Sequence, residues 1–221
     1  MKLARPDVFH PRIVLAGSPA LPDGDRDDAG LIGALRKHGL HARWLAWDDP
    51  ATLKADLVIL RAAGADEEFL AWTRRVRHLL NPPGAIAWNA GTDYLQDLAD
   101  AGVATAARGT EELALVFLAG TQSHAFTHSG QAEPDFEVWD VATAALAAAA
   151  ERLRMAPAEL LYARVDLTEE SRVRRLDLVA PTLGWTRLDP STRARQQRVF
   201  VLAVESALQR LGLGPLSHRR P

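Results

Sequence analysis

The feature that most constrains this chain is a change of rhythm near residue 107. Up to Ala106, short apolar runs such as RIVLA (12–16) and DLVIL (56–60) alternate with amphipathic segments. Runs of four or five residues without polar alternation suit strands covered on both faces, as in a parallel sheet. Strands are expected at 12–16, 41–47 (with Trp44 and Trp47 adding aromatic bulk), 56–60 and 85–88, with a fifth at 103–106. Helices are expected at 28–38, closed by Gly39, at 65–80, closed by the Asn-Pro-Pro-Gly of 81–84, and at 92–101. Strand–helix alternation with right-handed crossovers makes residues 1–106 a Rossmann-like α/β domain with an open parallel sheet.

After residue 107 strands come in pairs. Segments 112–118 and 122–128 flank Ala119-Gly120, and 160–167 and 172–178 flank a polar turn at 168–171, so two antiparallel hairpins are expected. Residues 130–134 read as a loop. An alanine-rich helix follows at 135–155, anchored by Phe136, Trp139, Val141, Leu146 and Leu153. A last helix at 190–211 has an arginine-rich first half and the apolar set Val199, Phe200, Leu202, Val204 and Leu208. Residues 107–221 thus form an α+β second domain.

Composition removes several classes of function. With no cysteine, disulfides, thiolate nucleophiles and cysteine-ligated metals are excluded. A formal charge of -2 gives no overall field toward nucleic acid or anionic lipid, so neither is an expected partner. No run of about 18 apolar residues occurs, and a cytoplasmic, membrane-free protein is expected. Of the 26 basic residues only Lys2, Lys37 and Lys54 are lysines, which leaves few ammonium groups for chemistry.

Local motifs are sparse. Gly17-Ser18-Pro19-Ala20 lies between a strand and a helix but has neither glycine-rich phosphate fingerprint. The acids that follow, Asp23, Asp25, Asp27 and Asp28, repel phosphate and read as helix-capping and solubilising groups. As a calcium loop the stretch fails, with Asp28 and Ala34 where glycine and a bidentate glutamate are required. His124 and His128 fall on one face of a strand about 13 Å apart, too far to share a metal. Ser123 is expected to point away from His124. Arg164, Asp166 and Asp177 share a hairpin face. Paired carboxylates beside an arginine can hold Mg²⁺ and a triphosphate, and they can equally be a salt-bridged sheet face. Arg193, Arg195 and Arg198 read as the solvated side of the last helix.

Several of these stretches together resemble the actinobacterial ATP-grasp proteins related to glutathione synthetase and the cycloserine-pathway ligase. The opening RIVLAGSPALPDGDRDDAGLIGALRKHGLHARWLAWDDP resembles the start of that family's N-terminal domain. DLVILRA with EEFLAWTRRV, and WN with YLQDLADAGV, resemble the segments that follow, while ELALVFLAGTQSHAF and LLYARVDL resemble two strands of the C-terminal subdomain. The resemblance implies a pre-ATP-grasp-like domain at 1–106 and a remnant of the ATP-grasp C-terminal subdomain at 107–221. It also implies an ancestral use of ATP and Mg²⁺ to turn a carboxylate into an acyl-phosphate that an amine attacks.

Departures from the family pattern set the functional expectation. Between Ala106 and Glu112 about five residues stand where the family has a central subdomain with an ATP-binding lysine and a lid. Thr92-Asp93 replaces a Lys-Arg, and Arg61-Ala62-Ala63-Gly64-Ala65-Asp66 lacks the family's Trp-Asp-Tyr. Asp166 matches a metal-binding aspartate, but the later acids fall on Arg175, Asp177 and Ala180. The expectation is a truncated, degenerate pseudoenzyme with no catalytic residues, no metal and no cofactor. Its vestigial ligand site would comprise Arg61, Arg164, Asp166 and Asp177, and it would act as a binding, assembly or regulatory module. A homodimer through the alanine-rich helix, or a protein partner over the exposed cleft, is expected. The alternative is a minimal or partner-assisted ATP- and Mg-dependent carboxylate–amine ligase.

Overall fold

The computed structural model describes residues 9–62, 64, 66–106 and 108–214. The N-terminal residues Lys2, Arg5, Pro6 and Asp7, the boundary residue Ala107, and Ala63 and Ala65 lie outside the described residues. The first half runs β1 (Arg12–Gly17), α1 (Leu31–Lys37), β2 (His41–Ala46), a 3₁₀ turn (Pro50–Lys54), β3 (Leu57–Leu60), α2 (Glu67–Arg75), β4 (Leu79–Leu80), α3 (Pro83–Asn89) and α4 (Tyr94–Asp100). Its sheet is fully parallel in the order β2-β1-β3-β4. The uniform apolar character of β1 and β3 is explained by cover on both faces. Ile13, Leu15, Leu57 and Ile59 face α1, and Val14, Ala16, Val58 and Leu60 face α2. Gly39, at φ 80°, closes α1: its N–H donates to Arg36 and the next N–H, of Leu40, reaches back to Leu35.

Three expectations fail between residues 65 and 106. The single helix of 65–80 stops at Arg75, and Leu79–Leu80 instead joins the sheet as β4 beside Val58 and Ile59. Adjacent leucines that are both buried suit a strand covered on two faces, and here they pair with Val58 and Ile59. Residues 85–88 are helical, not a strand, because Pro83 at the first helical position starts α3 and leaves Ala85 and Ile86 on its buried side. Segment 103–106 adds no strand to the parallel sheet. Thr105 bridges to Val173 of the other sheet.

The second half runs β5 (Leu113–Leu118), β6 (Thr121–Phe126), β7 (Gln131–Ala132), α5 (Phe136–Arg152), β8 (Tyr162–Leu167), β9 (Val173–Asp177) and α6 (Pro190–Arg210). Both expected hairpins form, in an antiparallel sheet of order β7-β6-β5-β8-β9. The supposed loop at 130–134 contributes β7 to the edge of β6. Leu115, Phe117, Val165 and Leu176 face α5, while Val116, Leu118 and Tyr162 face α6 and the parallel sheet. The layers are therefore α2, parallel sheet, α1 with α6, antiparallel sheet, α5.

The faces of the long helices differ from expectation in detail. On α5 the sheet is met by Ala142, Ala145, Leu146 and Ala149, with the expected anchors Trp139, Val141 and Leu153 packed against the same cluster and Trp139 edge-on to Phe117. Phe136, 72% exposed, is the expected anchor that stays outside. Small residues let the helix settle against large side chains of the sheet, so bulk is supplied from below. On α6, Phe200, Val204 and Leu208 are buried as expected, but Leu202 is 47% exposed and Val201 and Ala203 take its place.

The two sheets are stitched together by buried polar side chains. Asn81 donates to the carbonyls of Tyr162 (2.9 Å) and Leu178 (2.8 Å) and accepts from Leu161 N–H (2.7 Å). Asn89 donates to Leu176 (3.0 Å) and accepts from Leu178 N–H (2.7 Å). The Tyr162 hydroxyl donates to Leu60 and lies within reach of the Val179 carbonyl (3.1 Å). A buried backbone group left without a partner costs about 1–3 kcal/mol. Replacing Asn89→Ala orphans two such groups, so urea unfolding should show a loss of about 2–4 kcal/mol. A loss below about 1 kcal/mol would mean that this amide does not carry the junction.

Candidate functional site

The densest charge arrangement lies on the face of β8 and β9 turned away from α5. Arg164 and Asp166 alternate on β8, Arg175 and Asp177 on β9, and the register sets Arg164 opposite Asp177 and Asp166 opposite Arg175. Each acid is thus diagonal to the other and adjacent to both arginines. The bonds formed run along the strands: Arg164 Nε to Asp166 Oδ1 at 2.6 Å, and Arg175 Nη2 to Asp177 Oδ2 at 2.5 Å. Asp177 also accepts from Val179 N–H.

Asp166 is the unusual member. It is fully buried, and its Oδ2 has no hydrogen-bond partner. Loss of hydration pushes its pKa up to about 6, outweighing the attraction of Arg164, while Glu111 adds repulsion. Arg164 itself lies over the Phe126 ring at 5.1 Å. A cavity of about 300 Å³ is lined by Arg164, Asp166, Phe126, His128 and Arg187, with Glu111 at its rim. A second, of about 520 Å³, is lined by Asp177, Arg175, Tyr94 and Asn89, again with Glu111. Glu111 borders both cavities and was not picked out from the sequence. Its position two residues before an apolar strand carries no local signal.

Arg61 does not join this group. It is buried behind Tyr162, its guanidinium carbon 5.4 Å from that ring. Its Nε binds Asp28 Oδ1 at 2.8 Å and its Nη2 donates to the Pro181 carbonyl at 2.9 Å. The structure therefore brings Arg164, Asp166 and Asp177 together and commits Arg61 to a buried ion pair. The acids at the end of the 23–28 loop are not solubilising groups either. Asp27 accepts from the N–H groups of Gly184 and Thr186 (both 2.9 Å), and Asp28 faces Arg61. Burial raises the pKa of Asp28, with Arg61 acting in the opposite sense. These long-range pairings leave no trace in local spacing.

His124 is buried, its Nε2 2.6 Å from the Leu183 carbonyl, and burial lowers its pKa. Ser123 does not point away from it: Ser123 Oγ lies 2.8 Å from His124 Nδ1 and 2.8 Å from Gln196 Oε1. A bulge is the reason. Val116 pairs with His124 and Phe117 with Gln122, so Ser123 is the extra residue and strand alternation is interrupted. His128 lies beyond β6, and its carbonyl accepts from Arg187. Among the described residues, no group of three or more His, Asp or Glu side chains is placed to hold a metal ion, and no helix is long and apolar enough to cross a membrane.

Residues 13–81 match the family described as D-cycloserine synthetase DcsG, N-terminal domain. The crystal structure of D-cycloserine synthetase DcsG is similar over 87% of this chain and 98% of that chain, with a TM-score of 0.72 and 21% identity. D-alanine–D-alanine ligase from Bacillus anthracis, complexed with ATP, is similar over 90% of this chain and 98% of its own (TM-score 0.65, 13% identity). The ATP-grasp ligase PsnB, complexed with a minimal precursor, is similar over 87% and 98% (TM-score 0.55, 14% identity). No curated protein sequence matches the chain. The mixed α/β fold, with one parallel and one antiparallel sheet, is thus related to that of ATP-grasp ligases.

The raised pKa of Asp166 has a consequence for stability. An unfolded aspartate loses its proton near pH 4, whereas folded Asp166 keeps it to about pH 6. Its contribution to stability therefore falls as pH rises through that window. In Asp166→Asn the group is absent. The stability of the parent chain minus that of the variant should decline by an order of 2 kcal/mol from about pH 4 to 7, measured by urea unfolding. A difference that rises with pH would instead mean a carboxylate held ionised by Arg164.

Proposed function

We propose that this chain is a non-catalytic relative of the ATP-grasp ligases that serves as a binding, assembly or regulatory module. In this reading residues 1–106 correspond to the pre-ATP-grasp domain and residues 107–221 to the C-terminal subdomain. The short connection between Thr105 and β5 stands in place of the central subdomain. One observation carries the reading: both acids of the β8–β9 face are already neutralised by guanidinium groups, Asp166 by Arg164 and Asp177 by Arg175. Both oxygens of Asp177 are taken, by Arg175 and by the Val179 N–H, and Asp166 shares one of its two with Arg164. A divalent cation between the acids would therefore have to displace Arg175 and sit against Arg164.

The distribution of lysine supports the same reading. Lys37 ends α1 and Lys54 ends a 3₁₀ turn, and neither lines the cavities beside the acids. Phosphoryl transfer is catalysed by positioning and by neutralising developing charge, and in this reading the site keeps neither a lysine for the phosphates nor a lid. The open cavities on this face suit a small ligand, a partner chain or a second copy of this chain, and a homodimer is part of the proposal. A partner-assisted ligase is the second reading. It is favoured by the unpartnered Oδ2 of Asp166, which an incoming group could still engage.

Calorimetric titration with Mg-ATP distinguishes the two. No heat of binding is expected for the parent chain, and Arg175→Glu should show no ATP hydrolysis. Micromolar binding that disappears in Asp166→Ala or Asp177→Ala would overturn the non-catalytic reading in favour of the ligase.

A further inference from the structure

The bulge on β6 creates a chain of polar contacts that the β8–β9 face does not use. His124 is buried, its ring stacked on Phe126 with centroids 6.3 Å apart and planes 27° from parallel. Both ring nitrogens lie against oxygen: Nε2 is 2.6 Å from the Leu183 carbonyl and Nδ1 is 2.8 Å from Ser123 Oγ. That hydroxyl is also 2.8 Å from Gln196 Oε1, while Gln196 Nε2 donates to the Ser123 carbonyl at 3.2 Å. Gln196 belongs to α6, so these contacts tie the loop after β9, the bulge of β6 and the first half of α6 into one line.

Counting protons along the line decides which state it needs. The Leu183 carbonyl only accepts, so Nε2 must carry a proton. The Ser123 carbonyl only accepts as well, which turns the Gln196 amide nitrogen toward it and Oε1 toward the hydroxyl. Oε1 therefore takes the single hydroxyl proton of Ser123. Nothing is left for Ser123 to give His124, and the contact at Nδ1 closes only if Nδ1 donates. All these contacts are hydrogen bonds at once only when both ring nitrogens are protonated. A neutral His124 instead takes the Ser123 hydroxyl proton on Nδ1, and Gln196 Oε1 then faces an oxygen with no proton to offer. Turning the amide over moves the conflict to the Ser123 carbonyl, so one bond is lost either way.

We propose that His124, Ser123 and Gln196 form a proton-operated latch between β6 and α6, closed when His124 is charged and one hydrogen bond short when it is neutral. The surroundings oppose the charge without forbidding it. Burial disfavours the imidazolium, whereas the Leu183 carbonyl and Asp27, from the 23–28 loop, favour it. The other neighbours are uncharged: Val116 of β5 lies opposite, Phe126 of β6 stacks on the ring, and α6 supplies Gln196. Arg164 of β8 lies over that same Phe126 ring. The helix so held also joins the two halves of the chain, because Arg193 and Gln197 of α6 both donate to the Ala29 carbonyl. The inference is independent of the function proposed for the β8–β9 face.

Nitrogen-15 NMR of the full chain against pH reads both ends of the latch. Neutral His124 is expected as the Nε2–H tautomer, and the side-chain amide of Gln196 should shift with the same midpoint as the ring. Gln196→Ala frees the Ser123 proton for Nδ1 and favours the neutral ring, so the midpoint should fall by about 0.5 pH unit, a threefold change in proton affinity. In Ser123→Ala the Gln196 amide should no longer respond to pH. Gln209→Ala, at an exposed position further along α6, should leave the midpoint unchanged. A ring that does not titrate between about pH 5 and 8, a Gln196 amide that stays constant while His124 titrates, or an unchanged midpoint in Gln196→Ala would each overturn the proposal.

Discussion

The architecture depends on satisfying backbone groups where two sheets of different kinds abut. Strands β4 and β3 reach the loop after β9, and the carbonyls of residues 60, 176, 178 and 181 there accept from side chains. Asn81, Asn89, Tyr162 and Arg61 supply those donors, and Asp27 receives the N–H groups of Gly184 and Thr186. Buried polar groups are tolerated only when so paired, and the pairing fixes how the halves meet. It also assigns Arg61 and Asp28 to the frame, because an ion pair with nearly all of both side chains buried is not free to receive a ligand.

The β8–β9 face shows the same physics with a different outcome. Four alternating charges on two adjacent strands neutralise one another, and the arrangement leaves one carboxylate oxygen, on Asp166, without a partner. Removing either arginine would take the bonded guanidinium from a buried acid and leave it only the arginine across the strands, so these side chains are coupled as a set. In a fold related to that of ATP-grasp ligases, this face carries two acids, each bonded to an arginine of its own strand.

What the sequence disclosed follows periodicity. β1, β3 and both hairpins were legible because their apolar runs and turns are local, and α5 and α6 because their helical patterns are long. The segment from 65 to 106 was not, because Leu79–Leu80 and the Ala-Ile-Ala-Trp of α3 are short apolar runs that suit either a strand or a helix. Only the neighbouring strand for the first, and Pro83 for the second, decide between them. On α5 the anchors Trp139, Val141, Leu146 and Leu153 were legible, whereas the alanines that share their buried side carry little hydrophobic signal and Phe136, at the helix start, stays exposed. Arg164, Asp166 and Asp177 could be grouped from strand alternation alone. The roles of Asp27, Asp28 and Arg61 rest on partners up to 159 residues away, and the Ser123–His124 contact rests on a bulge that no spacing rule announces.

The central claim is that arginine has taken the place a cation would need between Asp166 and Asp177. Electron paramagnetic resonance of Mn²⁺, added with a non-hydrolysable ATP analogue, addresses it directly. The account predicts that the spectrum of the Mn²⁺–nucleotide complex is the same with and without one equivalent of protein. A protein-dependent signal that is lost in Asp166→Asn would show the ion seated against the acids and would contradict it.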